Sequence, residues 1–163
     1  MTIVKIPIKP HLRKYIARKL DAPNFLVKVS TTDRIGLGLF IMRSLCKKQV
    51  YINPFIEPKE FKFLSSIPEN STLDFEVGHK YSELYGLFIS QSRIYEINKF
   101  IDNFFTNEMF AFIQSLILHD PTIIVKYALD DFISIYDISD EDIQLESLCK
   151  TFSRYKDEYS YIK

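Results

Sequence analysis

The apolar residues of this chain follow two different periods, and this difference constrains the fold more than any other feature. In residues 2–8 and 71–77 they alternate with other residues, as they do in strands that bury one face. From Ser92 onward they recur three and four positions apart, which is the spacing of amphipathic helices. The change of period predicts an α+β fold: a small antiparallel sheet with basic helices, followed by a C-terminal helical section.

The first fifty residues are predicted to add two helices and a second short strand. Residues 10–20 form a helix that begins at a proline, a residue favoured at the first helical position. After a turn, residues 25–30 form a strand. A second helix then covers residues 32–48, with Thr32 or Asp33 as its cap.

The segment between the second helix and residue 71 is predicted to be irregular, because prolines interrupt residues 51–70. Its large apolar side chains are expected to pack against the core: Phe61, Phe63 and Leu64. After a turn at Gly78, residues 81–89 are expected to return as the hairpin partner of residues 71–77.

Residue 90 separates an α+β part, residues 1–90, from a helical part, residues 91–163, and we expect the two to form one compact unit. The helical part begins with one strong apolar stripe: Ile94, Ile97, Ile101, Phe104 and Phe105. A cap at Thr106 or Asn107 is expected to interrupt this helix and restart it as far as His119.

The last two helices have the proportions of a helix-turn-helix. The first is predicted to begin at Pro121, with Ile124, Tyr127, Ala128, Phe132 and Ile133 directed inward. A three-residue break at residues 137–139 precedes the second, which Ser139 or Asp140 caps. On the second helix the inward face comprises Leu145, Leu148, Cys149 and Phe152, and the outward face Ser147, Lys150, Thr151 and Arg154.

The outward face of the last helix carries side chains that can hydrogen-bond to base edges or phosphates, so it is a candidate for reading DNA. Four acids lie at the start of the helix, where a recognition helix enters the groove, and they would repel phosphates: Asp140, Glu141, Asp142 and Glu146. A plain structural hairpin is the alternative.

Charge is distributed unevenly along a chain whose formal net charge is zero. Residues 1–50 contain 11 Lys or Arg and 2 acids, whereas residues 51–163 contain 10 and 19. Such asymmetry indicates a polyanionic partner for the first third, or attraction between the two parts within one chain or between copies.

The first helix concentrates this positive charge. Its candidate phosphate-binding residues are Lys9, Arg13, Lys14, Arg18 and Lys19, with Tyr15 available for stacking on a base. A solvated helix face is the alternative. A second group of cations, Arg43, Lys47 and Lys48, closes the next helix, where the helix dipole also favours them.

Composition and length favour a soluble protein of the cytoplasm that is not an enzyme. The chain has 163 residues, of which 47% are hydrophobic, and no apolar run approaches the roughly 20 residues that a membrane span needs. We expect Cys46 and Cys149 to be buried reduced thiols, and the three histidines, His11, His79 and His119, to lie at the surface or at caps. No residue pattern predicts a catalytic group, a metal site or a cofactor.

Three segments resemble small uncharacterised proteins of Bacteroidetes phages and integrative elements. They are YALDDFISIYDISDEDIQLESLCKTFSRYK at residues 127–156, IKPHLRKYI at residues 8–16 and DRIGLGLF at residues 33–40. The C-terminal segment is also similar to helix-turn-helix activators of the Mor type. This resemblance implies transcription regulation in a bacterial cell or phage-infected host.

These features together predict a nucleic-acid-binding protein, with DNA favoured over RNA, that acts as a regulator or accessory replication factor of a phage or mobile element. The alternative is a protein–protein interaction module, such as a phage structural component or an inhibitor of a host protein. In either case the chain could also associate with copies of itself, and no membrane partner is expected.

Overall fold

A computed structural model describes residues 2–22, 24–28, 36–47 and 58–160. The elements in chain order are β1 (Thr2–Pro7), α1 (Pro10–Lys19), β2 (Leu26–Lys28), α2 (Leu37–Ser44), α3 (Pro58–Ser65), β3 (Thr72–Val77), α4 (His79–Tyr85), α5 (Gln91–His119), α6 (Val125–Ile135) and α7 (Leu145–Ser160). This content confirms the predicted α+β class. The chain divides into an N-terminal unit, Met1–Ile101, and a C-terminal unit, Asp102–Lys163. The division falls inside α5, whereas the sequence placed it at residue 90.

The sheet has the strand order β1-β3-β2 and is mixed rather than wholly antiparallel. β3 pairs antiparallel with β1 and parallel with β2. The alternation predicted for the two long strands is confirmed, because every second residue is buried: Val4, Ile6, Leu73, Phe75 and Val77. β1 is an edge strand, and Pro7, which has no N–H to give to a second neighbour, is therefore tolerated at its end.

The start of α1 is held by polar contacts that also fix the end of β1. Ser71 donates a hydrogen bond from its hydroxyl to the carbonyl of Ile8 at 2.6 Å, and Ile8 donates its N–H to the carbonyl of Ser71 at 2.9 Å. The side chain of Asn98, which lies on α5, accepts a hydrogen bond from the N–H of Lys9 at 3.1 Å. α1 then buries one apolar face, which includes Leu12, Tyr15 and Ile16.

α2 is shorter than predicted. Gly36 precedes it with φ of 70°, a left-handed conformation that glycine adopts without strain. The helix ends at Ser44, and Leu45 is extended, so that Cys46 pairs with Phe88 instead of continuing the helix. The predicted caps Thr32 and Asp33, and the predicted end at Lys48, lie outside the described residues.

Two predictions for residues 51–89 are wrong. Pro58–Ser65 is the helix α3, with Phe61 exposed, where an irregular segment packed on the core was expected; residues 51–57 lie outside the described residues. Residues 81–89 do not return as a strand, because β3 already has a neighbour on each side and offers no free edge. The chain instead forms the helix α4 directly after Gly78.

The helices of the C-terminal unit differ from prediction at their ends. α5 continues through Thr106 and Asn107, and the Asn107 side chain accepts a hydrogen bond from the hydroxyl of Tyr155 rather than capping a new helix. Asp120 accepts two hydrogen bonds from Thr122, at 2.9 and 2.7 Å, which form a turn around Pro121. α6 therefore begins later than predicted, at Val125.

α6 and α7 pack against each other through the predicted apolar residues. Ala128, Phe132 and Ile133 are buried on α6, whereas Ile124 and Tyr127, which were expected to point inward, are exposed. Because α6 starts at Val125 rather than Pro121, Ile124 precedes the helix and Tyr127 lies in its first turn. On α7, Leu148 and Phe152 are buried, and Leu145 and Cys149 are half-buried.

Candidate nucleic-acid interface

The basic residues of α1 differ in how much of their charge faces solvent. Arg18 and Lys19 are exposed at the end of the helix, and Lys14 is half-buried. Lys14 and Arg18 lie four residues apart, so their side chains share one face of α1. Of the five candidates that the sequence indicated near α1, these three have the positions best suited to contact a phosphate backbone.

Arg13 is a packing residue as well as a cation. Its guanidinium carbon lies 3.6 Å from the centre of the Phe25 ring, and its Nε is buried without a hydrogen bond to the described residues. Lys9 has a similar position, with its Nζ 4.6 Å from the centre of the Phe63 ring. Both cations rest on aromatic faces, where the ring quadrupole stabilises them.

The structure does not place two side chains of α1 where the sequence did. Tyr15 was a candidate for stacking on a base, but it is only 1% exposed and packs in the core of the N-terminal unit. His11 was expected at the surface or at a cap, and it is also buried. Both belong to the buried face of α1, together with Leu12 and Ile16. The aromatic component of a binding surface must therefore come from another element.

The second candidate set lies on α7 in the C-terminal unit. Ser147, Lys150 and Arg154 are exposed, and Thr151 is half-buried. These positions are three or four residues apart and share one face of the helix, as predicted. The Thr151 hydroxyl donates a hydrogen bond to the carbonyl of Ser147 at 3.0 Å, so its proton is used within the helix.

The connection between α6 and α7 is longer than the predicted three-residue break, because α6 ends at Ile135 and α7 begins at Leu145. Asp142 accepts hydrogen bonds from the N–H and the hydroxyl of Ser139, at 2.8 and 2.9 Å, and these close a separate turn before α7. The helix-turn-helix-like ending stays a prediction.

Acidic residues surround the start of α7. A shallow depression there is lined by Lys126, Asp140, Gln144, Leu145 and Glu146. This depression has two carboxylates and one cation, so this end of the helix repels a phosphate.

The two units carry net charges of opposite sign. The N-terminal unit contains 16 Lys or Arg and 9 Asp or Glu, a net charge of +7. The C-terminal unit contains 5 and 12, a net charge of −7. The α1 candidates therefore lie in a positive environment, and the α7 candidates lie in a negative one.

An aromatic surface in the N-terminal unit was missed by sequence reasoning. Cys46 and Phe88 exchange backbone hydrogen bonds, at 2.9 Å from the Cys46 N–H and 3.1 Å from the Phe88 N–H. This bridge brings the end of α2 beside the residues that follow α4. The only sequence signal was Gly86, which has φ of 86° and contacts the backbone of Cys46 and Lys47.

Within the described residues, no group of three or more His, Cys, Asp or Glu side chains is arranged to hold a metal ion. Across the same part of the chain, no helix is long and apolar enough to cross a membrane. His79 contacts only one carboxylate in the ion pairs described, Glu83, with 3.4 Å between Nδ1 and Oε1.

Comparisons with protein-family models, curated proteins and solved structures found no match to this chain. The resemblance to proteins of phages and integrative elements therefore stays a prediction, as do the functions that it implies.

Proposed function

We propose that this protein binds nucleic acid through the N-terminal unit, and DNA in preference to RNA. The separation of charge between the two compact units carries this proposal, because 16 of the 21 Lys and Arg residues belong to the unit that contains α1. A polyanion is attracted to the positive unit and repelled by the negative one. The role that we favour is that of a regulator or accessory replication factor of a phage or mobile element.

The surface of α1 is the leading contact. Lys14 and Arg18 share a face, and Lys19 extends the charge to the end of the helix. Each cation that neutralises a phosphate releases a counterion, so this contact is sensitive to salt and independent of sequence. Arg13 supports the surface by packing on Phe25, and changing it would confuse a loss of binding with a loss of stability.

The test is duplex DNA binding by a triple variant, Lys14→Gln, Arg18→Gln and Lys19→Gln, over a range of salt concentrations. We expect the slope of log K against log salt to fall by about 2–3, because each phosphate contact contributes about 0.9. The matched control changes three other exposed lysines of the same unit, Lys28, Lys59 and Lys62, to Gln. Equal effects of the two triple variants would show that α1 is not the contact.

A protein-interaction module is the second candidate, and the outer face of α6 favours it. Ile124, Tyr127 and Ile135 are each at least half exposed, at 58%, 66% and 50%. Apolar and aromatic side chains of this kind are typical of the centre of protein interfaces. If copies of the chain associate through this face, the double variant Tyr127→Ser, Ile135→Ser should be smaller than the wild type by light scattering.

A further inference from the structure

Two aromatic side chains beside the Cys46–Phe88 bridge are open to solvent. Tyr85 and Phe88 are 44% and 46% exposed, although they flank a tightly packed backbone contact. Tyr81 lies behind Tyr85, with the ring centres 6.3 Å apart and the planes within 18° of parallel. One face of the Tyr85 ring is therefore directed towards Tyr81. We call Tyr85 and Phe88 together the stacking surface.

The backbone holds a cation next to this surface. A Cβ on Gly86 would lie 2.4 Å from the Cα of Lys47, so the two backbones are in direct contact between Tyr85 and Phe88. Lys47 is exposed. The Cys46 thiol also donates a hydrogen bond to the carbonyl of Phe88 at 3.2 Å, which adds a third link across the bridge. The backbone of Lys47 is thus held against that of Gly86, which lies between Tyr85 and Phe88 in the chain.

The charge of the two segments that the bridge joins favours an anion. Residues 43–47 and 79–88 contain three cations, Arg43, Lys47 and Lys80, and all three are exposed. The single acid in these segments is Glu83, which faces His79 at 3.4 Å. Exposed aromatic residues with a protein partner would not require this excess of positive charge, whereas a polyanion would.

We propose that the stacking surface binds single-stranded nucleic acid, with unpaired bases on Tyr85 and Phe88 and the adjoining phosphate on Lys47. Unpaired bases expose flat faces that stack on aromatic side chains, and the faces in a duplex are already stacked on one another. This inference rests on the proposed function, and it adds a preference for single strands that α1 alone would not produce.

A single-tryptophan reporter tests the contact directly. The chain has no tryptophan, so Tyr85→Trp introduces one fluorophore at the stacking surface. We expect a single-stranded oligothymidylate to quench its emission in a saturable, salt-sensitive manner. Tyr127→Trp, at an exposed tyrosine of the C-terminal unit, is the control and should not be quenched.

Substitutions then measure the contribution of each group. Phe88→Leu should weaken binding of the oligothymidylate roughly tenfold, because stacking a base on an aromatic ring stabilises a complex by that order. Lys47→Gln should weaken it less and reduce its dependence on salt. Phe61→Leu and Lys28→Gln are the matched controls at exposed positions of the same unit, and thermal unfolding of every variant checks the fold.

The outcomes distinguish this inference from the proposed function. Duplex binding that depends on α1, with no quenching of Tyr85→Trp and no effect of Phe88→Leu, would overturn the stacking surface alone. A wild-type protein that binds neither single strands nor duplex would overturn both. Quenching by the oligothymidylate but not by the matched duplex, together with the loss in Phe88→Leu, would establish the stacking surface.

Discussion

The side-chain nitrogen of Asn98 donates a hydrogen bond to the carbonyl of Pro7 at 2.9 Å, across 91 positions of sequence. The same nitrogen reaches the carbonyl of Ile94 at 2.9 Å, and the side-chain oxygen accepts from the N–H of Lys9. Asn98 is fully buried. One amide thus joins the end of β1 and the start of α1 to α5, and it satisfies backbone groups that β1 and α1 leave free.

Replacing Asn98 with Leu should therefore destabilise the protein by about 2–4 kcal/mol, because it leaves buried backbone groups without partners. Urea unfolding measures this change in free energy. Asn103→Leu, at an exposed position of the same helix, should stay within about 0.5 kcal/mol of the wild type. Equal effects at the two positions would show that the Asn98 hydrogen bonds contribute nothing specific.

Phe152 holds α7 in the C-terminal unit, with its ring centre 5.4 Å from that of Phe110 on α5. We expect Phe152→Ala to cost about 3–5 kcal/mol, the usual range for deleting a buried aromatic ring. Thermal or urea unfolding tests this value, and Ser153→Ala provides the control at the neighbouring exposed position. A cost below about 0.5 kcal/mol would mean that α7 does not depend on this packing.

Arg154 discriminates between the two roles considered for α7. If the helix reads DNA, Arg154→Glu should weaken DNA binding sharply and leave the melting temperature almost unchanged, because an exposed charge contributes little to folding. If α7 belongs to a protein interface, the exchange should alter self-association on size-exclusion chromatography and leave DNA affinity as it was. Lys126→Glu makes the same charge change at another exposed position of that unit.

Tyr136 should make stability depend on pH in the alkaline range. Burial raises the pKa of Tyr136 above its ordinary value, and the hydrogen bond to Glu108 at 2.5 Å and the negative charge of that carboxylate add to the effect. The unfolded chain ionises this tyrosine near pH 10, where the folded chain keeps it neutral, so the stabilisation is complete below about pH 10 and is lost as the pH rises further.

The corresponding variant is Tyr136→Phe. It should cost about 1 kcal/mol at neutral pH, the usual contribution of one hydrogen bond, and this difference from the wild type should narrow above about pH 10. Unfolding free energies measured at several pH values test both points. A difference that stays constant to pH 11 would contradict the role of the Tyr136 proton. Tyr127→Phe, at an exposed position, should show neither effect.

The sequence predicted those elements in which burial follows a local period. In β1 and β3 the alternation alone identified the buried residues, because each strand has one face on the core. In α1 the helical period placed four cations outward; Arg18 and Lys19 are exposed, whereas Arg13 and Lys14 are half-buried. Long-range pairing had no such signal. β2 is three residues long, and its parallel pairing with β3 removed the edge on which a hairpin at residues 81–89 depended.

The candidate site was predicted in part for the same reason. The period of α1 shows which cations leave the core, but it cannot show that Phe25 lies under Arg13 or Phe63 under Lys9. The stacking surface depends on a bridge between Cys46 and Phe88, which are 42 positions apart. Helix ends were also unpredictable where a polar side chain hydrogen-bonds to a distant residue instead of capping a helix. Asn107, for example, accepts a hydrogen bond from Tyr155 within a continuous α5.

The continuity of α5 has a consequence for folding kinetics. Its 29 residues supply the last turns of the N-terminal unit and the first turns of the C-terminal unit. Starting a helix is costly and extending one is not, so whichever unit forms its part of α5 first provides a nucleus from which the other part can grow. Expressing either unit alone would divide that helix and remove this nucleus. We therefore expect the two units to refold more slowly as separate fragments than as one chain.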